Sequence, residues 1–316
     1  MAPLPPLVIT GNRIDALGPV QLFGVILHSF CVPADHAKVQ ALLDKTFATP
    51  SGGAVRYEAI GDKVFLSFAE ISKLYAVDSV EKDHGYSSEI DVTVWVMAHR
   101  VADGPLALRW IPVYLFVDNG PAMASGREVW GFPKQLGRFD ISPVAPDRAA
   151  ARTFHVDGFV LSPFAAASET RWARMIEVRP TPPQEGGHGV GVLGTLEALA
   201  EQALARLGDG FASIAGKLQT ALGSGAMTMA FLKQFPDAAN PMTACYQGII
   251  EAEARVTTLR GAGLTDDSYQ LRINSFASQP FMDELGVAPI WHEVGRGVWV
   301  DYDFELDLGA EVWRAG

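Results

Sequence analysis

Between residues 298 and 308 the chain alternates without a break. Val298, Val300, Tyr302, Phe304, Leu306 and Leu308 are separated by Trp299, Asp301, Asp303, Glu305 and Asp307. A period of two places these sets on opposite faces of a strand, one face apolar and the other mostly acidic and solvated. Few other patterns limit a fold so firmly. Residues 55–60, the Gly61-Asp62 pair and residues 64–68 predict a β-hairpin. Residues 92–98, 113–117, 255–259 and 271–276 predict further strands. These strands are not interleaved with regular helices, as a doubly wound sheet would require, so the expected class is α+β and β-rich.

Two stretches have helical spacing. Residues 33–47 carry Val39, Leu42, Leu43 and Phe47, and residues 195–222 carry Leu196, Leu199, Ala203, Leu207, Phe211, Ile214, Leu218 and Leu222. Gly208-Asp209-Gly210 is expected to kink or split the second, because glycine is poor inside helices. A Pro/Gly-rich linker over residues 179–189 precedes it. Residues 181–225 therefore read as a helical insertion in one domain spanning 1–316. No internal repeat has a fixed period.

Apolar residues at 48% and charged residues at 19% can supply a sizeable core. The net charge of −11 argues against a nucleic-acid binder, which needs a basic face, and requires any anionic substrate to find a local cationic pocket. Cys31 and Cys245 make no disulfide framework and suit a reduced compartment. No signal peptide and no membrane-length apolar run is apparent, so the expectation is a soluble, cytoplasmic protein with no membrane partner.

Several motifs have bland readings. Gly189-Val-Gly191-Val-Leu-Gly194 matches a dinucleotide-binding pattern, but the prolines before it cannot form the strand that the pattern needs, and it reads as linker. The seven histidines, at 28, 36, 84, 99, 155, 188 and 292, include no zinc-ligand spacing; Asp83-His84 near Glu89 reads as an exposed loop. No nucleophile elbow occurs. No site demands a metal or an organic cofactor.

The segment Asp118-Asn-Gly-Pro-Ala-Met-Ala-Ser-Gly-Arg-Glu-Val-Trp-Gly-Phe-Pro-Lys134-Gln-Leu-Gly stands apart. Lys134 is flanked by Trp130, Phe132 and Pro133. An ammonium desolvated among rings loses preference for its charged form. Moving a lysine from about 10.4 to near 7 requires roughly 4 to 5 kcal/mol of environmental bias, and only the neutral amine attacks a carbonyl. Local composition alone favours the bland reading, a surface lysine at a Gly-Pro turn with its stem lying on the rings.

This segment resembles the signature of the acetoacetate decarboxylase family, in which Gly-Arg-Glu precedes an aromatic-Pro-Lys whose lysine forms a Schiff base with substrate. Looser resemblance runs from about Gly18 to the C-terminus, through Tyr86-Ser-Ser-Glu89 and Glu251-Ala-Glu-Ala-Arg255-Val. The resemblance implies a strongly curved antiparallel sheet forming a cone or barrel, no metal or cofactor, and a homo-oligomer. It implies that Lys134 is the Schiff-base lysine and Glu89 the active-site glutamate that moves protons. Arg127 and Glu128 match the Gly-Arg-Glu and are expected beside the pocket. With Gln135, Phe132 and Tyr86 they make up the expected substrate-binding set.

Two departures bear on the reaction. Decarboxylating members carry a second lysine after the catalytic one, where this chain has Gln135. The family's N-terminal arginine, which meets the substrate carboxylate, has no counterpart between Gln21 and Lys45, leaving Arg127 or Arg109 as substitutes. Gln135 suits a neutral carbonyl or hydroxyl better than a carboxylate. The implied function is a Schiff-base lyase on a small oxo acid, acting as a decarboxylase of a 3-oxo acid or as an aldolase or dehydratase. The alternative is a small-molecule-binding protein on the same fold without turnover.

Overall fold

The structure is a computed structural model and describes residues 6–8, 16–77, 81–104, 107–181 and 226–316. The expected helical insertion, apart from residue 181, and the glycine run at 189–194 lie outside the described residues.

Among the described residues, twelve strands belong to one sheet. They are β1 (Val20–Pro33), β2 (Tyr57–Ala59), β3 (Lys63–Ala76), β4 (Ser87–Arg100), β5 (Leu108–Val117), β6 (Lys134–Ile141), β7 (Phe154–Val160), β8 (Arg171–Thr181), β9 (Ala226–Pro236), β10 (Ala244–Ile273), β11 (His292–Leu306) and β12 (Ala310–Arg314). Among the described residues three short α-helices accompany them: α1 (His36–Leu43), α2 (Gly120–Ser125) and α3 (Phe281–Leu285). Asp35 caps α1 by accepting from the Ala37 and Lys38 amides, and the chain continues as a π-helical turn, Asp44–Ala48, close to the end expected for this helix. None of the helices among the described residues is long and apolar enough to cross a membrane.

The pairings close on themselves. The path β4-β3-β1-β11-β10-β8-β7-β6-β5 returns to β4, and β9 bridges β5 and β10 across the ring. A circuit of seven strands, β4-β3-β1-β11-β10-β9-β5, thus shares β10, β9 and β5 with the remainder. The sheet is mixed rather than wholly antiparallel, because β5 pairs in parallel with both β6 and β9.

Two sequence expectations change. The Gly61-Asp62 pair does not turn a hairpin. β2 and β3 both run antiparallel to β4, Ala59 opposite Ala98 and Phe65 opposite Trp95, so they continue along one ladder with a break between them. Gly61 has φ 75°, a conformation that serves a break as well as a hairpin. The two strands expected at 255–259 and 271–276 are parts of β10, thirty residues long, except for the last three residues of the second.

The strands around the site are buried on both faces. In β3, Val64, Leu66 and Phe68 join the main core, while Ser67, Ala69 and Ile71 line a cavity. In β4, Val92, Val94 and Val96 pack into the same core while Glu89, Asp91 and Thr93 face the cavity. Phe30, Phe68, Phe154 and Tyr269 form the aromatic centre of that core, with ring centroids 4.6 to 6.2 Å apart. Burying each such side chain stabilises the fold by about 1.5 to 3 kcal/mol. The rigid outer packing fixes which side chains the cavity face presents.

Candidate active site

The cavity has a volume of about 420 Å³ and is walled by β1, β3, β4, β5, β9, β10 and β11 together with the α2 region. Its walls are overwhelmingly apolar. The alternating face of β11 read from sequence, Val298, Val300, Tyr302, Phe304 and Leu306, is one of them. A concave apolar space with few polar groups is the usual form of a small-molecule site.

Lys134 enters this space from the first residue of β6. Asn119 caps α2 by accepting from the Ala122 amide, and the helix runs into a π-helical turn, Gly126–Trp130. Gly131, at φ 97°, ends that turn in a left-handed conformation that favours glycine. The Trp130 indole donates to the Asp307 carbonyl and pins the turn to the chain just beyond β11. Arg127 donates to the Lys134 carbonyl at 3.1 Å. Gly126 leaves room for the lysine stem: a Cβ there would stand 2.5 Å from Lys134 Cδ and 2.8 Å from Cε.

The Lys134 ammonium is buried and donates to Glu89 Oε1 at 2.5 Å, with Glu89 only 2% exposed. Its Nζ lies 5.6 Å from the centroid of Phe132, which also lines the cavity. Glu89 Oε2 has no hydrogen-bond partner among the described residues, although it is fully buried. An unpaired buried carboxylate oxygen is costly to keep, and sites where it persists are candidates for function.

Asp91 completes the cluster. It follows Glu89 by two residues, shares its face of β4, and accepts from the Thr93 hydroxyl in a short hydrogen bond. Burial, and then the negative charges of Glu89 and Asp118, push its carboxyl up to about 7, against the pull of the Lys134 charge. A carboxyl with that value holds and releases a proton near neutrality. Tyr302 faces the same space from β11; burial and the Asp91 charge raise its hydroxyl further, so it stays protonated and able to donate.

The expected site residues separate into two groups. Lys134, Glu89 and Phe132 come together. Gln135 faces away from the cavity and its side-chain oxygen accepts from Gln279, as the alternation of β6 requires. Tyr86 is exposed, with the Lys73 ammonium over its ring at 4.8 Å. Arg127 and Glu128 are exposed and outside the cavity wall, Arg127 acting on the Lys134 backbone. Arg109 bridges Asp103 and Glu251. Asp91 and Tyr302 were not singled out from sequence, yet both were within reach of the period of two, Asp91 counted from Glu89 and Tyr302 as the hydroxyl on the apolar face of β11. No three His, Cys, Asp or Glu side chains converge as a metal site among the described residues.

A ring-like, β-rich fold that holds a buried lysine against a buried glutamate in an apolar cavity defines a narrow class. The family model described as acetoacetate decarboxylase (ADC) matches residues 5–162, half of the chain, and the chain belongs to that family. No curated protein matches it. Among solved structures, acetoacetate decarboxylase from Legionella pneumophila is similar at 14% identity and a TM-score of 0.61, covering 98% of this chain and 93% of that one. The enduracididine biosynthesis enzyme MppR, complexed with the condensation product of pyruvate and imidazole 4-carboxaldehyde, is similar at 16% identity and TM-score 0.56, covering 95% and 92%. An acetoacetate decarboxylase-like enzyme from Sphingomonas wittichii RW1 is similar at 13% identity and TM-score 0.55, covering 97% and 98%. At these identities the likeness concerns the fold.

Proposed function

We propose that this chain is a carbon–carbon lyase that works through a Schiff base on Lys134. The observation that carries the reading is the buried Lys134 amine, 2.5 Å from Glu89 and facing an apolar cavity. The ammonium passes a proton to the carboxylate pair, and the neutral amine attacks the carbonyl carbon of the substrate. Loss of water, with the proton supplied by the carboxylates, gives a protonated imine. A bond from the adjacent carbon then breaks, its electrons passing into a neutral enamine. The leaving fragment is carbon dioxide in a decarboxylation and a carbonyl compound in a retro-aldol cleavage. Water adds back to release the amine.

Glu89 orients the amine, and Asp91, poised near neutrality, is the proton store for imine formation and for protonation of the enamine. The Tyr302 hydroxyl donates to the substrate oxygen. The condensation product bound to MppR supports the aldol and dehydration branch for this fold, and the acetoacetate decarboxylases support the other. The family resemblance also carries an expectation of a homo-oligomer, which sedimentation would test.

Borohydride trapping with a panel of 2-oxo and 3-oxo acids, read by intact and peptide mass spectrometry, tests the mechanism. A reduced adduct on Lys134 supports it. The apolar extent of the cavity favours one rival, a binding protein on this fold; it predicts tight retention of an apolar carbonyl compound with no adduct.

A further inference from the structure

Among the described residues that line the cavity, charge stands at two places. One is the cluster of Lys134, Glu89 and Asp91. The other is Arg296, on the same inward face of β11 as Val298, Val300 and Tyr302. Strand pairing fixes their separation. Glu89 is level with Ile71, Val25 and Tyr302, and Asp91 with Ala69, Leu27 and Val300. Arg296 therefore lies four to six residues further along β11, about 13 to 20 Å at 3.3 Å per residue. The wall between is made of Leu27, Val298, Val300 and Leu259.

Arg296 is held but not neutralised. Its Nε donates to the Thr265 carbonyl in a short hydrogen bond, and Thr265 is fully buried. No carboxylate forms an ion pair with it among the described residues, whereas Arg100, Arg109, Arg148, Arg152, Arg174 and Arg260 each have one. A half-buried guanidinium facing an apolar space, with its two terminal nitrogens uncommitted, presents a fork for a carboxylate. At the opposite end the Lys134 ammonium already pairs with Glu89, so Arg296 is the cation of the described lining without an ion-pair partner.

Resting on the Schiff-base reading, we infer that the substrate is an amphiphilic oxo acid of medium chain length. Its ketone or aldehyde reaches Lys134, its linear apolar body lies along β11, and its carboxylate pairs with Arg296. A small oxo acid cannot span the two sites.

Two ten-carbon methyl ketones test this, one carrying a carboxylate at the far end and one without it. The measured quantity is the concentration giving half-maximal borohydride-trapped adduct on Lys134. In the wild-type protein the carboxylated ketone should need at least about tenfold less, the scale of one charge-assisted pair. That advantage should vanish in Arg296→Gln and return in part in Arg296→Lys, with cooperative melting confirming that each variant is folded. Equal trapping of the two ketones by the wild type, or an advantage that survives in Arg296→Gln, overturns the inference. If neither ketone is trapped, the Schiff-base reading falls, and binding of decanoate, which has no ketone, decides the anchor. Weaker decanoate binding by Arg296→Gln than by wild type supports the Arg296 site; equal binding refutes it.

Discussion

Replacing Gly126 by alanine separates what the backbone wants from what the lysine needs. Gly126 has φ −61° and ψ −43°, a helical conformation that alanine adopts freely. Helix propensity alone favours the change by about 1 kcal/mol. The side chain is the obstacle. A Cβ would sit 2.5 Å from Lys134 Cδ, while ordinary contacts begin at 3.4 Å, so the stem must retreat by 3.4 − 2.5 = 0.9 Å. The amine at its end is held at 2.5 Å from Glu89 and cannot follow without stretching that bond. Misplacing a reacting group by about 1 Å costs on the order of 100-fold in rate, which is roughly 2.7 kcal/mol of barrier. The assay is the rate of labelling by acetylacetone, whose enaminone with an amine absorbs in the near ultraviolet and needs no reductant. Gly120→Ala in α2, where nothing lies within 4 Å of the new Cβ, is the control. Gly126→Ala should melt at or above the wild-type temperature and label about 100-fold more slowly, with Gly120→Ala unchanged in labelling. A Gly126→Ala protein that labels at the wild-type rate would refute the steric reasoning.

Lys134→Met should give no adduct with any carbonyl, and leaving the buried Glu89 without its cation should lower stability by about 3 kcal/mol in denaturant melts. The Asp91 carboxyl is raised to about 7, so the native state keeps a proton that the unfolded chain releases above about pH 4. Wild-type stability should therefore fall relative to Asp91→Asn as pH rises from about 4 to 7, by up to roughly 4 kcal/mol; a pH-independent difference between the two would contradict the raised carboxyl. Burial, and then the Arg152 charge, pull the His28 imidazole down to about 4. Because the unfolded chain takes up that proton from about pH 6.5 downward, stability should drop by about 3 kcal/mol between pH 6.5 and 4, and His28→Gln should remove that part of the acid slope.

Legibility followed how strictly each strand kept its two faces. β11 was visible because its outward face is acidic and its inward face apolar over the whole length read. β10 was not visible as one strand. It pairs in turn with β12, β9, β8 and β11, with register shifts after Val256, Leu259 and Leu264, and each shift breaks the alternation that a reader counts. The supposed hairpin failed because a turn signal is local, whereas pairing depends on which edge is free. β3 already has β1 on one side and β4 on the other, leaving β2 to extend the β4 ladder. At the site, Lys134 comes from the motif and Glu89 from the looser Tyr86-Ser-Ser-Glu89 resemblance, and the two side chains meet at 2.5 Å. The period of two along β6 turns Gln135 away from the cavity beside Lys134, and the same period carried back from Val298 brings Arg296 to the cavity face of β11.

The β1–β11 seam has a consequence for how the polypeptide is made. Val20 must find Leu306, and Ser29 must find Val298, so one side of β1 has no partner until the ribosome has delivered most of the intervening sequence. Closing such distant contacts is slow, and a strand left with bare amides and carbonyls is a template for other chains. The nascent protein accordingly carries a sticky border through most of its synthesis, and its yield in a cell should follow the supply of chaperones more closely than its finished stability.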